Sequence, residues 1–153
     1  MTDPAPSADP TVRLESEADA IKAVQHAVLG GLLAYNREQA GEPNQTPLVL
    51  SVRDAEGEVI AGLVGGTAWR WLVIHLLWVD AAHRRRGLGR ALLRAAEAEA
   101  RRGDCVAVLV DTFDFQAPGL YEREGYTVFG VLEGFPPGHR RLYFRKSLDG
   151  PAA

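Results

Sequence analysis

The stretch Val73-Ile74-His75-Leu76-Leu77-Trp78-Val79-Asp80-Ala81-Ala82-His83-Arg84-Arg85-Arg86-Gly87-Leu88-Gly89-Arg90-Ala91-Leu92-Leu93 decides how this chain is read. Val73 to Val79 is an apolar run that predicts a buried strand. A short polar loop with three consecutive arginines follows, then Gly87-x-Gly89, and a helix pattern starts at once. Such a strand-loop-helix passage suits a phosphate. Glycine lets a ligand approach the backbone. The first helical turn leaves N–H groups without partners, and the helix dipole favours an anion there. Arginine adds charge and fixed donors. Taken alone, a solvated basic loop at a helix start is an equal reading. The third glycine of a dinucleotide fingerprint and the Gly-Lys-Ser/Thr of a P-loop are both absent.

Working outward, Gly87 to Arg102 predicts a helix rich in alanine and leucine, closed by Gly103. Cys105 to Val110 predicts a buried strand, and Gln116 to Glu124 a short helix closed by Gly125. Two strands are expected over 126–132 and 139–146, joined by the loop Glu133 to Gly138. Upstream, Leu48 to Arg53 and Glu58 to Thr67 predict a hairpin turning at Asp54-Ala55-Glu56-Gly57. Gly65-Gly66 suggests a bulge or a close backbone approach. A third strand, 69–79, returns through a turn near Ala68. Ile21, Val24, Val28, Leu32 and Tyr35 trace one face of a helix from Ala18 to about Gln39, which Gly30-Gly31 weakens or divides. Thr11 to Glu15 alternates enough for a short first strand. The expected order is β-α-β-β-β-α-β-α-β-β, a mixed sheet in a single α/β (α+β) domain over 11–148, with a flexible tail at 1–10 and a short one at 149–153.

The 153 residues suffice for one domain with a proper core. At 46% hydrophobic and 24% charged, the composition is that of a soluble protein, and a net charge of −3 gives no basic field for nucleic acid. No targeting or membrane-spanning run is read, and a cytoplasmic location fits a single cysteine, Cys105, which sits in a core-like strand. No metal-ligand pattern stands out.

A second constellation narrows the choice: Ala117-Pro118-Gly119-Leu120-Tyr121-Glu122-Arg123-Glu124-Gly125-Tyr126. Val79, Arg84, Gly87, Gly89, Leu92 and Leu93, followed by Ala117, Leu120, Tyr121 and Gly125, resemble the two motifs of the Gcn5-related N-acetyltransferase (GNAT) superfamily. The resemblance covers roughly 11–148 and implies that family's fold. It implies an acetyl-coenzyme A-dependent N-acetyltransferase acting by direct transfer to a primary amine, on a small molecule or a protein. The loop Arg84, Arg85, Arg86, Gly87, Leu88, Gly89, Arg90 and Ala91 would take the pyrophosphate, chiefly by backbone amides. The strand at Leu77, Trp78 and Val79 would take the pantetheine arm. Tyr121 matches the general acid that protonates the leaving thiolate. Where the family often has asparagine, this chain has Asp114, and Gln116 stands in as a cofactor contact.

For the base, His75 is a titratable side chain in an apolar strand. Period two puts it on the face of Leu77 and Val79, a parity that a bulge would alter. A structural histidine is at least as good a reading, and Asp80, Glu133 and His139 are further candidates. His26 and His83 read as surface or helix residues. The acceptor pocket is expected from Tyr35, Asn36 and Glu38, from Trp69 and Trp71, and from the segment 132–141. Two alternatives stay open: a non-catalytic acyl-coenzyme A binding or sensing module, and a transferase for a larger acyl group. The family also admits a homodimer.

Overall fold

The computed structural model describes residues 11–148, so the readings for 1–10 and 149–153 lie outside the described residues. The chain divides into two compact units, Met1–Gly41 and Glu42–Ala153.

The first unit holds helix α1, Ala18–Ala40. It runs unbroken through Gly30-Gly31, because neither glycine adopts a positive φ and Leu29, Leu32, Leu33 and Ala34 around them favour a helix. The strand expected at Thr11 to Glu15 does not form; residues 11–16 have no regular structure. Alternation there supplies only Val12 and Leu14, and a strand needs a partner's ladder as well as a pattern.

The second unit is a mixed sheet with two helices. Its strands are β1 (Thr46–Arg53), β2 (Val59–Ala68), β3 (Trp71–Val79), β4 (Ala107–Phe113), β5 (Thr127–Glu133) and β6 (Arg140–Ser147), and its helices α2 (Leu88–Arg102) and α3 (Pro118–Arg123). The six strands lie in the order β1-β2-β3-β4-β6-β5. Only β3 and β4 are parallel, as a strand-helix-strand crossover through α2 requires. The sheet is therefore the mixed one expected, with six strands and not seven.

Turn chemistry sets the register. At β1–β2, Asp54 Oδ1 accepts from Glu56 N at 3.1 Å and Glu58 N at 2.9 Å. The β2–β3 turn falls at Trp69-Arg70, one residue beyond the expected place. Both residues have positive φ, 45° and 63°, the geometry of a two-residue hairpin turn that glycine or asparagine normally supplies. Arg70 is held there from outside the hairpin: its Nε donates to Asp104 O at 3.0 Å and its carbonyl accepts from Val106 N at 2.8 Å.

The irregularity expected at Gly65-Gly66 is real, but the extra residue belongs to β3. Val64 pairs with Leu76 and Gly65 with Ile74, so His75 is the unmatched residue of a bulge. Gly65 faces it because a Cβ there would run into the carbonyl oxygen of Val73.

Helix α2 presents Leu92, Leu93, Ala96 and Ala100 to the core, against Ala61, Leu63, Leu72, Ile74, Val108, Val110, Leu142 and Phe144. It ends in a Schellman motif, with Cys105 N bonded to Ala100 O and Asp104 N to Arg101 O. The left-handed residue there is Asp104, φ 57°, and Gly103 stays at −90°. Cys105 is buried, which pushes its thiol pKa up and fits its reading as a core residue.

Candidate active site

The β3–β4 ladder pairs Trp71 to Ile74 with Ala107 to Val110 and then stops, although β3 continues to Val79 and β4 to Phe113. Beyond the bulge the two strands carry no mutual hydrogen bonds. Through Val79, β3 keeps its pairing to β2 on the other edge, leaving the edge toward β4 open. A cleft of about 960 Å³ occupies this fork, lined by the outer half of β3, the loop after it, the start of α2, the end of β4 and α3.

One wall is the loop and helix start. Arg85 and Gly87 take positive φ, 61° and 78°, with Gly87 as the N-cap of α2. The amides of Leu88, Gly89 and Arg90 open the helix and have no intrahelical acceptor. Ala91 N is already bonded to Gly87 O at 2.9 Å; Ala91 and Arg86 are not among the cleft-lining residues, whereas Arg84, Arg85, Gly87, Leu88, Gly89 and Arg90 are. Arg84 donates from Nε to Val79 O at 3.1 Å, tying the loop to the strand end. Arg90 and Arg94 both grip the buried Glu124, at 2.7 and 3.0 Å. Burial alone would raise the Glu124 carboxyl pKa; the Arg94 and Arg90 guanidinium groups outweigh it and bring it below the usual range. This pair fastens the start of α2 to the end of α3.

Tyr121 lines the same cleft and is only 6% exposed. Burial, then the charge of Asp111, pushes its phenol up to about 12. Its ring is fixed by the end of α3. There Tyr126 N bonds to Tyr121 O at 3.0 Å and Gly125 N to Glu122 O at 3.1 Å, with Gly125 left-handed. This second Schellman motif brings Tyr126 edge-on to Tyr121, centroids 5.7 Å apart. Tyr126 in turn donates its hydroxyl proton to buried Glu97 of α2 at 3.0 Å, and Lys146 of β6 closes on both Glu97 oxygens at 2.8 Å. Phe144 covers another side of Tyr121, at 5.5 Å.

His75 lines the cleft, but the bulge changes its face. Leu77 and Val79 return to the α2 side, each 3.8 Å from where a Cβ on Gly89 would be, while His75 borders a shallow groove with Val73, Pro47 and Thr67 on the opposite face. Trp78 also lines the cleft, whereas Trp69 and Trp71 stand at the far end of β3, by the hairpin turn. Tyr35, Asn36 and Glu38 belong to α1.

Gln116 lines the cleft with its carbonyl oxygen occupied, by Thr112 Oγ1 at 2.8 Å and Phe113 N at 2.9 Å. Its amide nitrogen is the end left to face a ligand. Asp114, in contrast, accepts from Arg140 N and pairs with His139, both at 3.1 Å, so it organises the start of β6. Asp80 caps the short 3-10 turn Ala81–His83 by accepting from Ala82 N, and its bond to His83 lowers its carboxyl pKa. His83, expected at the surface, reaches the cleft. Sequence reasoning missed Asp111, which also lines it. The available signal was a carboxylate directly after the apolar run Cys105–Val110. Among the described residues, no three His, Cys, Asp or Glu side chains are grouped to hold a metal ion, and no helix is long and apolar enough to cross a membrane.

This arrangement has counterparts in known proteins. The model of the acetyltransferase (GNAT) family matches residues 16–126. The chain belongs to that family. An acetyltransferase of Agrobacterium fabrum is 36% identical to this GNAT protein over 131 residues, 86% of this chain and 93% of the relative. The blasticidin-S acetyltransferase of Streptomyces morookaense is 49% identical over 83 residues, 54% of this chain and 61% of that protein's length. The crystal structure of an acetyltransferase from Bacillus cereus superposes with a TM-score of 0.77 at 28% identity, covering 90% of this GNAT chain and 97% of the other. The match spans both segments, around Gly87 and around Tyr121.

Proposed function

We propose that this GNAT protein moves an acetyl group from acetyl-coenzyme A to a primary amine of a small molecule, by direct attack in a ternary complex. The observation that carries this reading is one cleft in which the unpaired amides of Leu88 to Arg90, the open edge of β3 and a protonated, buried Tyr121 converge. The residues fit the donor. The α2 N-terminus with Arg84, Arg85 and Arg90 suits a pyrophosphate, and the edge at Leu77, Trp78 and Val79 offers backbone partners to an extended amide-bearing arm. The amide nitrogen of Gln116 adds a donor. When bound, acetyl-coenzyme A supplies an activated acyl carbon and a thiolate leaving group. Tyr121 holds the proton that the leaving sulfur needs. His75 takes a proton from the incoming amine, from the opposite face of the sheet. The blasticidin-S relative favours a small-molecule acceptor over a protein one.

Calorimetry with acetyl-coenzyme A, joined to thiol release over a panel of primary amines, tests the reading. Binding plus amine-dependent thiol release is expected. Binding with no release from any amine makes the chain a binding module, and no binding removes the reading. For His75, we expect His75→Ala to change the pH profile of kcat/KM; an unchanged profile rejects His75 as the base.

A further inference from the structure

In a strand, successive side chains alternate between the two faces of the sheet. On β4, Val108, Val110 and Thr112 are buried on the α2–α3 side with Tyr121 and Phe144. Asp111 therefore belongs to the other face, beside Phe113. It stands one residue past Val110, the last residue of β4 paired with β3, at the apex of the fork. Its charge reaches Tyr121 across the sheet and helps keep that phenol protonated.

Asp111 is held from one side only. Arg141 places Nε and a terminal nitrogen both 2.6 Å from the same oxygen, Oδ2. Among the described residues no donor reaches Oδ1. Arg141 itself sits in a clamp of rings, its guanidinium carbon 5.4 Å from the centroid of Phe113, 5.2 Å from Phe135 and 5.6 Å from Tyr143. Cation–π contact and the planar shape of guanidinium fix such a group well. The carboxylate is thereby fixed with one oxygen committed and the other without a donor among the described residues, on a residue that lines the cleft.

We propose that Asp111 is the anchor for a cationic acceptor: its Oδ1 accepts a hydrogen bond from the ammonium of the incoming amine, and Arg141 is the positioning residue that aims it. The inference rests on the acetyl-transfer reading. It gives the acceptor a class, an amine that arrives protonated, and a side of approach, the sheet face opposite α2 and α3. His75, on that same face, then receives the ammonium proton before the neutral nitrogen attacks, and the second proton, shed as the amide forms, restores the one that Tyr121 gives to the leaving sulfur. A charge-assisted bond to a carboxylate selects an ammonium over a neutral amine or an alcohol.

The test uses the full chain with cadaverine, lysine amide and benzylamine as probes, acetyl-coenzyme A as donor, and calorimetric affinity for acetyl-coenzyme A as an independent readout. Asp111→Asn is expected to lower kcat/KM for the best of these amines at least about 100-fold while acetyl-coenzyme A affinity stays within about twofold. Asp111→Glu should recover part of the loss. Arg141→Met should raise KM for the amine more than it lowers kcat, with Arg141→Lys intermediate. Asp111→Asn retaining kcat/KM within about threefold overturns the proposal. So does a wild-type protein that binds acetyl-coenzyme A yet acetylates none of the three amines. A wild-type protein that does not bind acetyl-coenzyme A sinks the underlying reading instead, and the two failures are distinct.

Discussion

Tyr121→Phe is expected to lower kcat by a factor of about 10² to 10⁴, the range in which a positioned general acid acts, and to leave acetyl-coenzyme A affinity within a few fold. The substitution removes one oxygen and keeps the ring that packs on Tyr126 and Phe144. A thiolate leaving group then departs unprotonated, while the contacts that hold the donor are untouched. Steady-state turnover beside calorimetric affinity checks both halves, and wild-type turnover rejects the acid role. The pH dependence has a definite sign. The folded phenol is pushed up to about 12 and the unfolded one lies near 10. Between those values the unfolded chain has released the proton and the folded chain still holds it. Stability from this group is thus complete below pH 10 and declines as pH rises toward 12. Tyr121→Phe should lose that part of the alkaline destabilisation.

Gly89→Trp is expected to abolish acetyl-coenzyme A binding, a loss of at least about 100-fold in affinity, or roughly 2.7 kcal/mol. A Cβ on Gly89 already comes within 3.1 Å of Leu120 Cδ2 and 3.8 Å of Leu77 and Val79. An indole from this point fills the gap between β3, α2 and α3 and covers the free amides of the first turn. Gly89→Ala serves as the control, because its nearest neighbour is the tip of a leucine side chain that can move by a few tenths of an ångström. Calorimetry with circular dichroism on both variants decides the matter. Unchanged affinity in a folded Gly89→Trp protein removes the pyrophosphate assignment.

Much of this was legible in the sequence because its signals are local. Gly87 and Gly89 before an alanine-leucine helix, and Ala117 to Gly125 after an apolar strand, specify their own turns and caps. Period-two and helical spacing gave the order of the six strands and three helices. Long-range constraint is where the reading failed. The left-handed pair Trp69-Arg70 is held by Asp104 and Val106, more than thirty residues away, and no turn residue announces it. Thr11 to Glu15 has the right pattern without a partner. The role of Asp111 depends on Arg141, thirty residues on, and on where the β3–β4 ladder ends. Asp114, which stands where the family often has asparagine, has its oxygens taken by the start of β6, a use that no local pattern announces.

The bulge at His75 lets one strand present a histidine to one wall of the cleft without disturbing the other. One unmatched residue resets the phase of β3, so that Leu77 and Val79 rejoin the side of Leu72 and Ile74 while His75 stays on the other. A point substitution on one face of β3 changes one wall alone. In the reading proposed here, the donor and acceptor preferences of the enzyme are therefore separable along a single strand. Losing His75 would leave Leu76, Leu77 and Val79 on their present faces and remove the imidazole alone, because an unmatched residue is one the ladder does not count.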